Sequence, residues 1–361
     1  MPEIIQNTLY LLTPGSYISR DHLTLLVEVP EYPPDLPREE RNRQTATGHR
    51  KLSVPIHHLE SVCVFGPSTI SPPAMDLCWE QGVAINFLSE NGYFQARVTG
   101  VADTSVTLRR VQFRVADNPG QAAAIARQIV AGKIQNARNS LLRAGRETDD
   151  AGERQQLEAA TDALARSLHE LEKIRDLDAI RGSEGIAAQI YFGVFGLILK
   201  QQRADFAFGT RSRRPPRDRI NCLLSFLYAL VRHDCIAALT SVGLDPFVGF
   251  LHVDRPNRPS LALDLMEEFR PWLADRLAVT LVNRQQVDAG DFIVREGGAV
   301  EFTDQGRRLV IKAYQERKQE MLTHPVLDQN LRIGQMPFVQ SRLLARALRG
   351  DVADYLPLIP K

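Results

Sequence analysis

The sequence has few cysteines, no excess of either charge sign and no long uninterrupted apolar run. Its four cysteines show no C-x-x-C spacing, and a chain of 361 residues does not need disulfides to stabilise a small core. The 44 Lys and Arg residues stand against 43 Asp and Glu residues, a net charge of +1. Any binding to nucleic acid must therefore come from local basic patches rather than from an overall field. The cysteine pattern fits the reducing cytoplasm.

The chain also lacks the signals of export and of membrane insertion. The N-terminal stretch MPEIIQNTLYLL contains Glu3 and has neither a basic region nor a small-residue cleavage site, so it does not resemble a signal peptide. The most apolar later run, Ile186 to Leu199, is interrupted by glycines and is shorter than the roughly 20 residues of a membrane span. We therefore predict a cytoplasmic protein that makes no contact with a membrane.

The length predicts two domains, and the N-terminal part has the composition of strands. β-branched and aromatic runs predict strands at Thr8–Leu12, His22–Val29, Ser61–Phe65, Val83–Leu88, Tyr93–Val98 and Val106–Val115. Asn91-Gly92 indicates a hairpin turn, because both of its positions favour positive φ. One helix is predicted from Ser71, as its N-cap, to about Gln81. The polar segment Tyr32–Gly48 is interpreted as an exposed loop.

After Asn118-Pro119-Gly120 the pattern becomes helical and stays so. The predicted helices are Gln121–Arg146, Ala151–Arg175, Glu184–Lys200, Arg217–Val242, Leu261–Arg284, Asp304–Leu322 and Leu331–Arg349. The predicted fold class is α+β. A β-sandwich-like domain over residues 1–118 precedes a mostly α-helical catalytic domain over residues 119–361.

The first candidate site combines His252 with three carboxylates on the helix that follows it. At 100° per residue, Asp264, Glu267 and Glu268 fall on one helix face, with apolar side chains opposite. Such clustering is costly unless a cation neutralises it, and an imidazole nearby supplies a nitrogen ligand that suits Mn²⁺, with Mg²⁺ also tolerated. The alternative is a solvated acidic first turn stabilised by the helix dipole, together with a histidine that only caps a strand.

A second candidate is Glu184, which lies in the apolar segment RGSEGIAAQIYFGVFGLIL. Buried carboxylates are normally paired or bound to metal, so Glu184 could supply an oxygen ligand from a different helix. The alternative is that Ser183 caps the helix and Glu184 is stabilised in its first turn without a function.

The third candidate is the loop from Phe208 to Arg219, which contains Arg211, Arg213, Arg214 and Arg217. Two consecutive prolines in it favour an extended chain, so several guanidinium groups can face one surface and bind phosphates in bidentate fashion. We predict these four arginines as DNA-binding residues. The alternative is that they are solvated without a partner.

Four phrases occur in order in the helical half: RGSEGIAAQIYF, FGTRSRRPPRDRINCLLSFLYALV, GLDPFVGFLH and RPSLALDLMEEFRPWLADR. Together they resemble the CRISPR-associated integrase family, the spacer-acquisition endonuclease of a bacterial immune system. The N-terminal phrase NTLYLLTPGSYISRD is similar to that of members found beside compact type I interference systems. The segment Tyr32–Gly48 departs from the family by being longer and more polar.

The resemblance implies an N-terminal β-domain that forms a homodimer, joined to a helical domain that holds a divalent ion, Mg²⁺ or Mn²⁺. The family's glutamate, histidine and second acidic ligand match Glu184, His252 and Glu267. Asp264, one turn earlier, is then a supporting or alternative ligand, and Glu268 is the least favoured of the three acidic residues. Glu184, His252 and Glu267 would also be the catalytic residues.

The resemblance further implies that a small dimeric partner subunit bridges two homodimers, and that the complex inserts short double-stranded DNA fragments into a CRISPR array. In the reaction a DNA 3′-hydroxyl attacks a repeat-end phosphodiester. Two other functions stay open. A non-catalytic DNA-binding scaffold would use the basic loop alone, and a metal-dependent hydrolase of other phosphoesters would not need that loop.

Overall fold

The computed structural model describes residues 3–5, 8–32, 46–59, 61–88, 94–98 and 106–360. The chain divides into two compact units, Met1–Asp103 and Thr104–Lys361. This division lies fifteen residues before the boundary that we placed after residue 118, because the segment that follows residue 105 is helical. Asn91-Gly92 and most of the segment Tyr32–Gly48 lie outside the described residues.

The N-terminal unit contains two β-sheets and a helix. Its strands are β1 (Glu3–Ile5), β2 (Thr8–Leu11), β3 (Tyr17–Asp21), β4 (Thr24–Glu31), β5 (Gly48–Pro55), β6 (Ser61–Phe65), β7 (Thr69–Ile70), β8 (Ala84–Leu88) and β9 (Phe94–Val98). One sheet has the order β1-β2-β6-β8-β9, with β6 parallel to both β2 and β8. The other has the order β5-β4-β3-β7.

Both sheets contribute to one hydrophobic core, which includes Leu9 and Val64 from the first and Ile18 and Val27 from the second. Buried and half-buried residues alternate along much of β4, as expected for a strand with one face on the core. Helix α1 (Pro72–Glu80) covers this core and starts as predicted, with the Ser71 hydroxyl accepting from the N–H of the third residue of the helix. The predicted β-rich unit is confirmed.

The C-terminal unit is mostly helical, also as predicted. Its helices are α2 (Val106–Ala116), α3 (Pro119–Arg146), α4 (Ala151–Leu171), α5 (Leu177–Gly193), α6 (Arg219–Ser241), α7 (Ser260–Met266), α8 (Arg276–Asn283), α9 (Asp304–Gln319) and α10 (Met336–Arg349). A π-helix at Arg270–Asp275 precedes α8. Two short hairpins complete the unit, β10 (Phe292–Val294) with β11 (Val300–Phe302) and β12 (Met321–His324) with β13 (Gln329–Arg332).

The predicted strand over Val106–Val115 is wrong, because this segment forms helix α2. Its buried residues, Leu108 and Gln112, are four apart, which is a helical spacing. The Gln112 amide donates to the carbonyl groups of Asp245 and Val248, at 2.8 Å each. Tertiary contacts of one helix face thus override the β-branched composition.

Several predicted helix boundaries also differ from the structure. Helix α5 begins at Leu177 with Asp176 as its N-cap, seven residues before the predicted start. The predicted helix over Leu261–Arg284 is divided by the π-helix that contains Pro271, since proline cannot donate to the helical ladder. Residues 321–322 and 331–332, predicted as the ends of two helices, instead belong to the β12–β13 hairpin.

Helix α6 is long and apolar enough to span a membrane by length and composition, but it is mostly buried within the helical unit. Its buried residues lie on every side of the helix, which is the pattern of a helix at the centre of a protein core.

Candidate active site

His252 lies in a loop that the buried carboxylate of Asp264 holds in place. Asp264 Oδ2 accepts from the backbone N–H groups of Phe250 at 2.6 Å and Leu251 at 2.9 Å, and Oδ1 accepts from the His252 N–H at 3.0 Å. Asp264 Oδ1 also lies 2.6 Å from His252 Nδ1. Because a carboxylate can only accept, Nδ1 carries the proton, and the lone pair of Nε2 is available to a ligand.

Close backbone approach makes this arrangement possible. A Cβ on Gly249 would lie 2.8 Å from Asp264 Oδ2 and 2.9 Å from Ser260 Cβ, so only glycine fits. Gln112 fixes the start of the same loop, since its Oε1 also accepts from the Asp245 N–H at 2.9 Å. The loop is therefore held at both ends, which sets the position of His252.

The second group of residues joins two carboxylates through one ammonium group. Lys133, on α3, lies with Nζ 2.6 Å from Glu267 Oε2 and donates a hydrogen bond to Glu184 Oε1. His252 Nε2 is 3.8 Å from Glu267 Oε1. Since α5 begins at Leu177, Glu184 lies within the helix and not in its first turn. The interpretation of Glu184 as a first-turn residue capped by Ser183 is therefore wrong.

The two neighbouring glutamates that directly follow α7, Glu267 and Glu268, have opposite electrostatic environments. Burial raises the pKa of Glu267, but Arg270, Lys133 and His252 outweigh it and hold the pKa at about 2. The Arg270 guanidinium contacts Glu267 Oε1 at 3.2 Å. Burial raises the pKa of Glu268 to about 7. Of these two glutamates, Glu267 is therefore the one that is fully ionised at neutral pH.

Glu268 faces away from His252, toward the C-terminal segment. Its carboxylate accepts from the Tyr355 hydroxyl at 2.7 Å and the Leu358 N–H at 2.7 Å, and Gln340 Nε2 lies 3.1 Å from Oε1. The three carboxylates in and directly after α7 thus have three surroundings: Asp264 holds a loop, Glu267 faces Lys133, and Glu268 anchors the segment after α10.

The chemistry of this donor set fits a divalent cation at the position of the Lys133 ammonium group. Among the described residues, no three His, Cys, Asp or Glu side chains are already gathered for a metal ion, because Lys133 stands between Glu184 and Glu267. Glu267 Oε2 is buried, and its contact with Lys133 is ionic rather than a well-aligned hydrogen bond. Two carboxylate oxygens and an imidazole nitrogen suit Mn²⁺ or Mg²⁺. Asp264 does not fit as a ligand, since four donors already occupy its oxygens.

The four predicted DNA-binding arginines of the loop Phe208–Arg219 have different environments. Arg211 is half-buried and turned inward: its guanidinium donates to Asn221 Oδ1 at 2.6 Å and to Ser225 Oγ at 3.2 Å, and lies 5.2 Å from the Tyr228 ring centre. Burial lowers the pKa of Arg211. The structure therefore gives Arg211 a role in holding the loop.

Arg213, Arg214 and Arg217, the other three predicted DNA-binding residues, are exposed. Arg213 lines a small cavity together with Lys133 and Arg270, so it adjoins the candidate site. The Arg217 guanidinium donates to the carbonyl of Gly297. Arg213 and Arg214 are thus presented to solvent, while Arg217 is tied to another loop.

Sequence reasoning missed three basic residues that lie near the predicted Arg214: Arg181, Arg255 and Arg258. The pKa of Arg258 is lowered by burial and by the positive charges of Arg255, Arg181 and Arg214, which places these four guanidinium groups near one another. Arg181 Nε donates to the carbonyl of Leu251 at 2.6 Å, next to His252. We call these four arginines the basic rim. Three of them could have been recognised from their position in the sequence. Arg255 and Arg258 follow His252 within six residues, and Arg181 precedes Glu184 by one helical turn.

Lys133 and Arg270 were missed as well. Arg270 follows Glu267 by three residues, the spacing of an ion pair along a helix. Lys133 lies between the buried residues Gly132 and Ile134 on α3, and its side chain is only 12% exposed. A lysine among buried neighbours indicates a buried anionic partner, but the partners are 51 and 134 residues away in sequence.

The chain is similar to proteins of known family and to several solved structures. Residues 9–316 match the family described as CRISPR associated protein Cas1. The CRISPR-associated endonuclease Cas1 1 of Moorella thermoacetica is 45% identical over 356 residues, covering 99% of both chains. Among solved structures, a casposase bound to integration product aligns with a TM-score of 0.81 at 20% identity, over 97% of this chain and 92% of that chain.

A Cas6-RT-Cas1–Cas2 complex is also similar, with a TM-score of 0.78 at 23% identity. The alignment covers 100% of this chain and 37% of that longer chain. At these identities the two solved structures show a shared fold, and they agree with the strand-rich unit followed by a helical one.

Proposed function

This chain belongs to the CRISPR-associated Cas1 family, and from this premise we propose that it is a divalent-metal-dependent DNA endonuclease and integrase. Its reaction joins the 3′-hydroxyl of a short DNA fragment to a phosphodiester at the end of a CRISPR repeat. The observation that carries the proposal is the convergence of Glu184 and Glu267 on one cation position, with His252 Nε2 3.8 Å from Glu267. The full-length relative named an endonuclease supports the nuclease activity.

Glu184 and Glu267 would supply the negative charge that holds Mn²⁺ or Mg²⁺, and His252 would supply a nitrogen ligand through Nε2. When bound, the ion polarises a phosphate oxygen and stabilises the leaving 3′-oxygen. Asp264 keeps the imidazole in the tautomer whose Nε2 is unprotonated. Lys133 must move away from the two carboxylates for the ion to bind.

The basic rim and Arg213 would bind the phosphates that flank the reacting bond. The reaction is an in-line displacement at phosphorus, in which one P–O bond forms and one breaks. The number of phosphodiesters is unchanged, so strand transfer needs no energy-rich cofactor. Water in place of the 3′-hydroxyl gives hydrolysis, which is the endonuclease activity.

The proposal includes an assembly. The N-terminal unit would form a homodimer, and a small dimeric partner subunit would bridge two homodimers on double-stranded DNA. The name of the Cas1–Cas2 complex among the structural relatives supports such a partner, and the integration product in the casposase structure supports DNA as the substrate. The link to a compact type I system remains a prediction from the N-terminal phrase.

The test is strand transfer by His252→Ala with Mn²⁺, compared with His169→Ala. His169 is an exposed histidine on α4, remote in sequence from the candidate ligands, so its loss should leave activity unchanged. We expect His252→Ala to fold normally and to lose metal-dependent strand transfer and cleavage. Full activity in His252→Ala would refute the site assignment.

The same assay separates the two other functions. A non-catalytic scaffold would bind DNA with a salt-dependent affinity and show no metal-dependent joining in any variant. A hydrolase of small phosphoesters would turn over a nucleotide analogue, and its rate would not depend on Arg213 or the basic rim.

A further inference from the structure

Residues 355–360 follow α10 and pack against the chain next to the candidate site. Tyr355 is 2% exposed and Leu358 is fully buried. Glu268 accepts hydrogen bonds from both residues, from the Tyr355 hydroxyl at 2.7 Å and from the Leu358 N–H at 2.7 Å. Because Glu268 directly follows Glu267, these bonds hold the turn that carries the candidate ligand. We refer to residues 355–360 as the C-terminal segment.

One side chain of α3 binds both this turn and the C-terminal segment. The Asn136 amide nitrogen donates to the carbonyl of Glu268 and to the carbonyl of Leu358, at 2.8 Å each. Asn136 is only 1% exposed, and hydrogen bonds in such surroundings are electrostatically stronger than in water. A single amide group thus joins α3, the turn and the segment.

A glycine allows α3 and the segment to approach each other closely. A Cβ on Gly132 would lie 2.5 Å from Pro357 Cβ and 3.1 Å from Pro357 Cγ. Carbon atoms in ordinary contact are about 3.5–4.0 Å apart, so only glycine fits here. The next residue, Lys133, contacts Glu184 and Glu267. The segment therefore packs on α3 directly beside the lysine that joins the two candidate ligands.

The turn itself interrupts the α-helical bonding pattern. Helix α7 ends at Met266, and the π-helix begins at Arg270. In between, the Glu267 N–H donates to the Asp264 carbonyl at 3.1 Å and the Phe269 N–H donates to the Met266 carbonyl at 3.0 Å. Both bonds reach back three residues instead of the four of an α-helix. Contacts from outside the helix therefore help to fix the direction of Glu267.

The anchor of the segment is polar, although apolar packing would be enough for stability. Gln340 Nε2 lies 3.1 Å from Glu268 Oε1 and 2.9 Å from the Tyr355 hydroxyl, and Gln340 Oε1 lies 3.0 Å from His324 Nε2. Replacing buried charged groups by well-packed apolar residues is often neutral or stabilising. Hydrogen bonds have direction, however, so a satisfied polar network fixes one arrangement. Fixed direction is what the positioning of a ligand requires.

We propose that the C-terminal segment positions the active site by holding the turn of Glu267 at a fixed separation from α3. Asn136, Tyr355 and Pro357 are then positioning residues, which act through Glu267 and Lys133. The inference rests on the proposed function, since it concerns the ligands of that site, and it assigns a role in the reaction to residues outside the ligand set.

The separation matters because the cation position lies between α3 and the turn. Lys133 Nζ marks this position, 2.6 Å from Glu267 Oε2. Oxygen ligands of Mg²⁺ must lie at about 2.0–2.1 Å in near-ideal geometry. A catalytic group that is misplaced by about 1 Å can lower the rate by about 100-fold. A displacement of α3 or of the segment by this amount should therefore be measurable at the site.

The close approach of Gly132 and Pro357 provides the test. Gly132→Ala adds a methyl group 2.5 Å from Pro357 Cβ, which forces the two elements apart by about 1 Å. Pro357→Gly removes both atoms that the methyl group meets, so Gly132→Ala/Pro357→Gly should recover most of what Gly132→Ala loses. The matched control is Gly145→Ala on the same helix, because a Cβ there would lie 3.9 Å from Leu157 Cβ, an ordinary contact.

Binding of Mn²⁺ is measured by calorimetric titration at a temperature where circular dichroism shows each variant to be folded. We expect Gly132→Ala to bind Mn²⁺ about 10–100-fold more weakly, the usual effect of losing a group that orients a ligand. Gly145→Ala should keep the original affinity. Helix propensity cannot explain such a loss, because alanine is more favourable than glycine within a helix.

Tyr355→Phe separates positioning from stability without a steric change. It removes the hydroxyl that donates to Glu268, whereas the control Tyr314→Phe removes a hydroxyl that donates to Asp234 at 2.8 Å, between α9 and α6. Each substitution removes one hydrogen bond from a buried tyrosine to a carboxylate, so we expect similar decreases in melting temperature. Only Tyr355→Phe should weaken Mn²⁺ binding.

Two results would overturn the proposal. One is the original Mn²⁺ affinity in Tyr355→Phe and in folded Gly132→Ala. The other is a loss in Gly132→Ala that persists in Gly132→Ala/Pro357→Gly although Pro357→Gly alone binds normally. Should Gly132→Ala fail to fold, Tyr355→Phe decides, with the original affinity again overturning the proposal.

The same variants distinguish this proposal from the proposed function. If the original protein joins DNA strands with Mn²⁺ and the variants keep its affinity, the positioning role fails and the proposed function stands. If the original protein binds no Mn²⁺, the proposed function fails, and amide hydrogen exchange in EDTA decides the positioning role. Gly132→Ala or Tyr355→Phe should then exchange faster at residues 267–269 than the matched controls, and unchanged exchange would overturn the proposal.

Discussion

Replacing Asp264 with asparagine tests whether this carboxylate positions His252 or binds the metal. Its two oxygens accept three backbone N–H groups and the His252 Nδ1–H. An asparagine oxygen can keep one pair of these donors. The amide NH₂ group would then face the other pair, donor against donor.

The expected cost follows from that count. Two buried donors lose their acceptor, and an unsatisfied buried donor costs about 1–3 kcal/mol. We therefore expect Asp264→Asn to lower the free energy of unfolding by about 2–6 kcal/mol. The Gly249 backbone lies close to the Asp264 carboxylate and leaves the side chain little room to turn away.

Metal binding gives the second measurement. If Asp264 acts through His252, its loss should weaken Mn²⁺ binding by about 10–100-fold, the usual effect of removing a group that orients a ligand. Glu267→Gln removes a proposed ligand directly and should weaken binding more. Calorimetric titration with Mn²⁺ compares the two variants, and amide hydrogen exchange at residues 250–252 reports whether the loop has loosened.

Two outcomes would refute the positioning role. One is an unfolding free energy within about 0.5 kcal/mol of the original, as for an ordinary surface substitution. The other is a loss of Mn²⁺ binding equal to that of Glu267→Gln, which would make Asp264 a metal ligand.

Three further predictions follow from the same contacts. Lys133→Met leaves two carboxylates without their shared ammonium group, so in EDTA its free energy of unfolding should be about 3–5 kcal/mol lower. Mn²⁺ should then raise the melting temperature of the variant more than that of the original protein, and equal shifts would contradict this. Gly249→Ala should destabilise the protein by about 1–3 kcal/mol in urea unfolding. The control Gly182→Ala lies within α5, where no atom would contact the added Cβ, so it should be neutral or stabilising by up to about 1 kcal/mol. Equal effects of the two substitutions would show that the close approach at Gly249 is unimportant. Burial raises the pKa of Asp275 to about 6 from 3.8. The protonated carboxyl therefore contributes stability that is fully present below pH 3.8 and is lost as the pH rises through 6, which lowers the free energy of unfolding by up to about 3 kcal/mol. Asp275→Asn lacks this contribution, so urea unfolding across pH 4–7 should show the original losing stability relative to the variant, and a difference independent of pH would disprove it.

Much of the fold could be predicted from local sequence. The Ser71-Pro72-Pro73 start of α1 was correct because capping is a short-range interaction. The strand over Val106–Val115 was wrong because the residue that decides it, Gln112, bonds to a loop more than 130 residues later. Local composition contains no information about such a partner.

The sequence by itself determined the residue types of the candidate site: a histidine, an acidic helix face after it and a glutamate on an earlier helix. It did not determine their roles, because a helical wheel gives Asp264, Glu267 and Glu268 nearly the same direction. Only the tertiary structure distinguished them, through the backbone donors around Asp264, the cations around Glu267 and the C-terminal segment around Glu268. It also brought Lys133 between Glu184 and Glu267, and gathered the four arginines of the basic rim from one helix and two loops. Electrostatic environment depends on distance in space, and pairs more than a few residues apart in sequence acquire that distance only through folding.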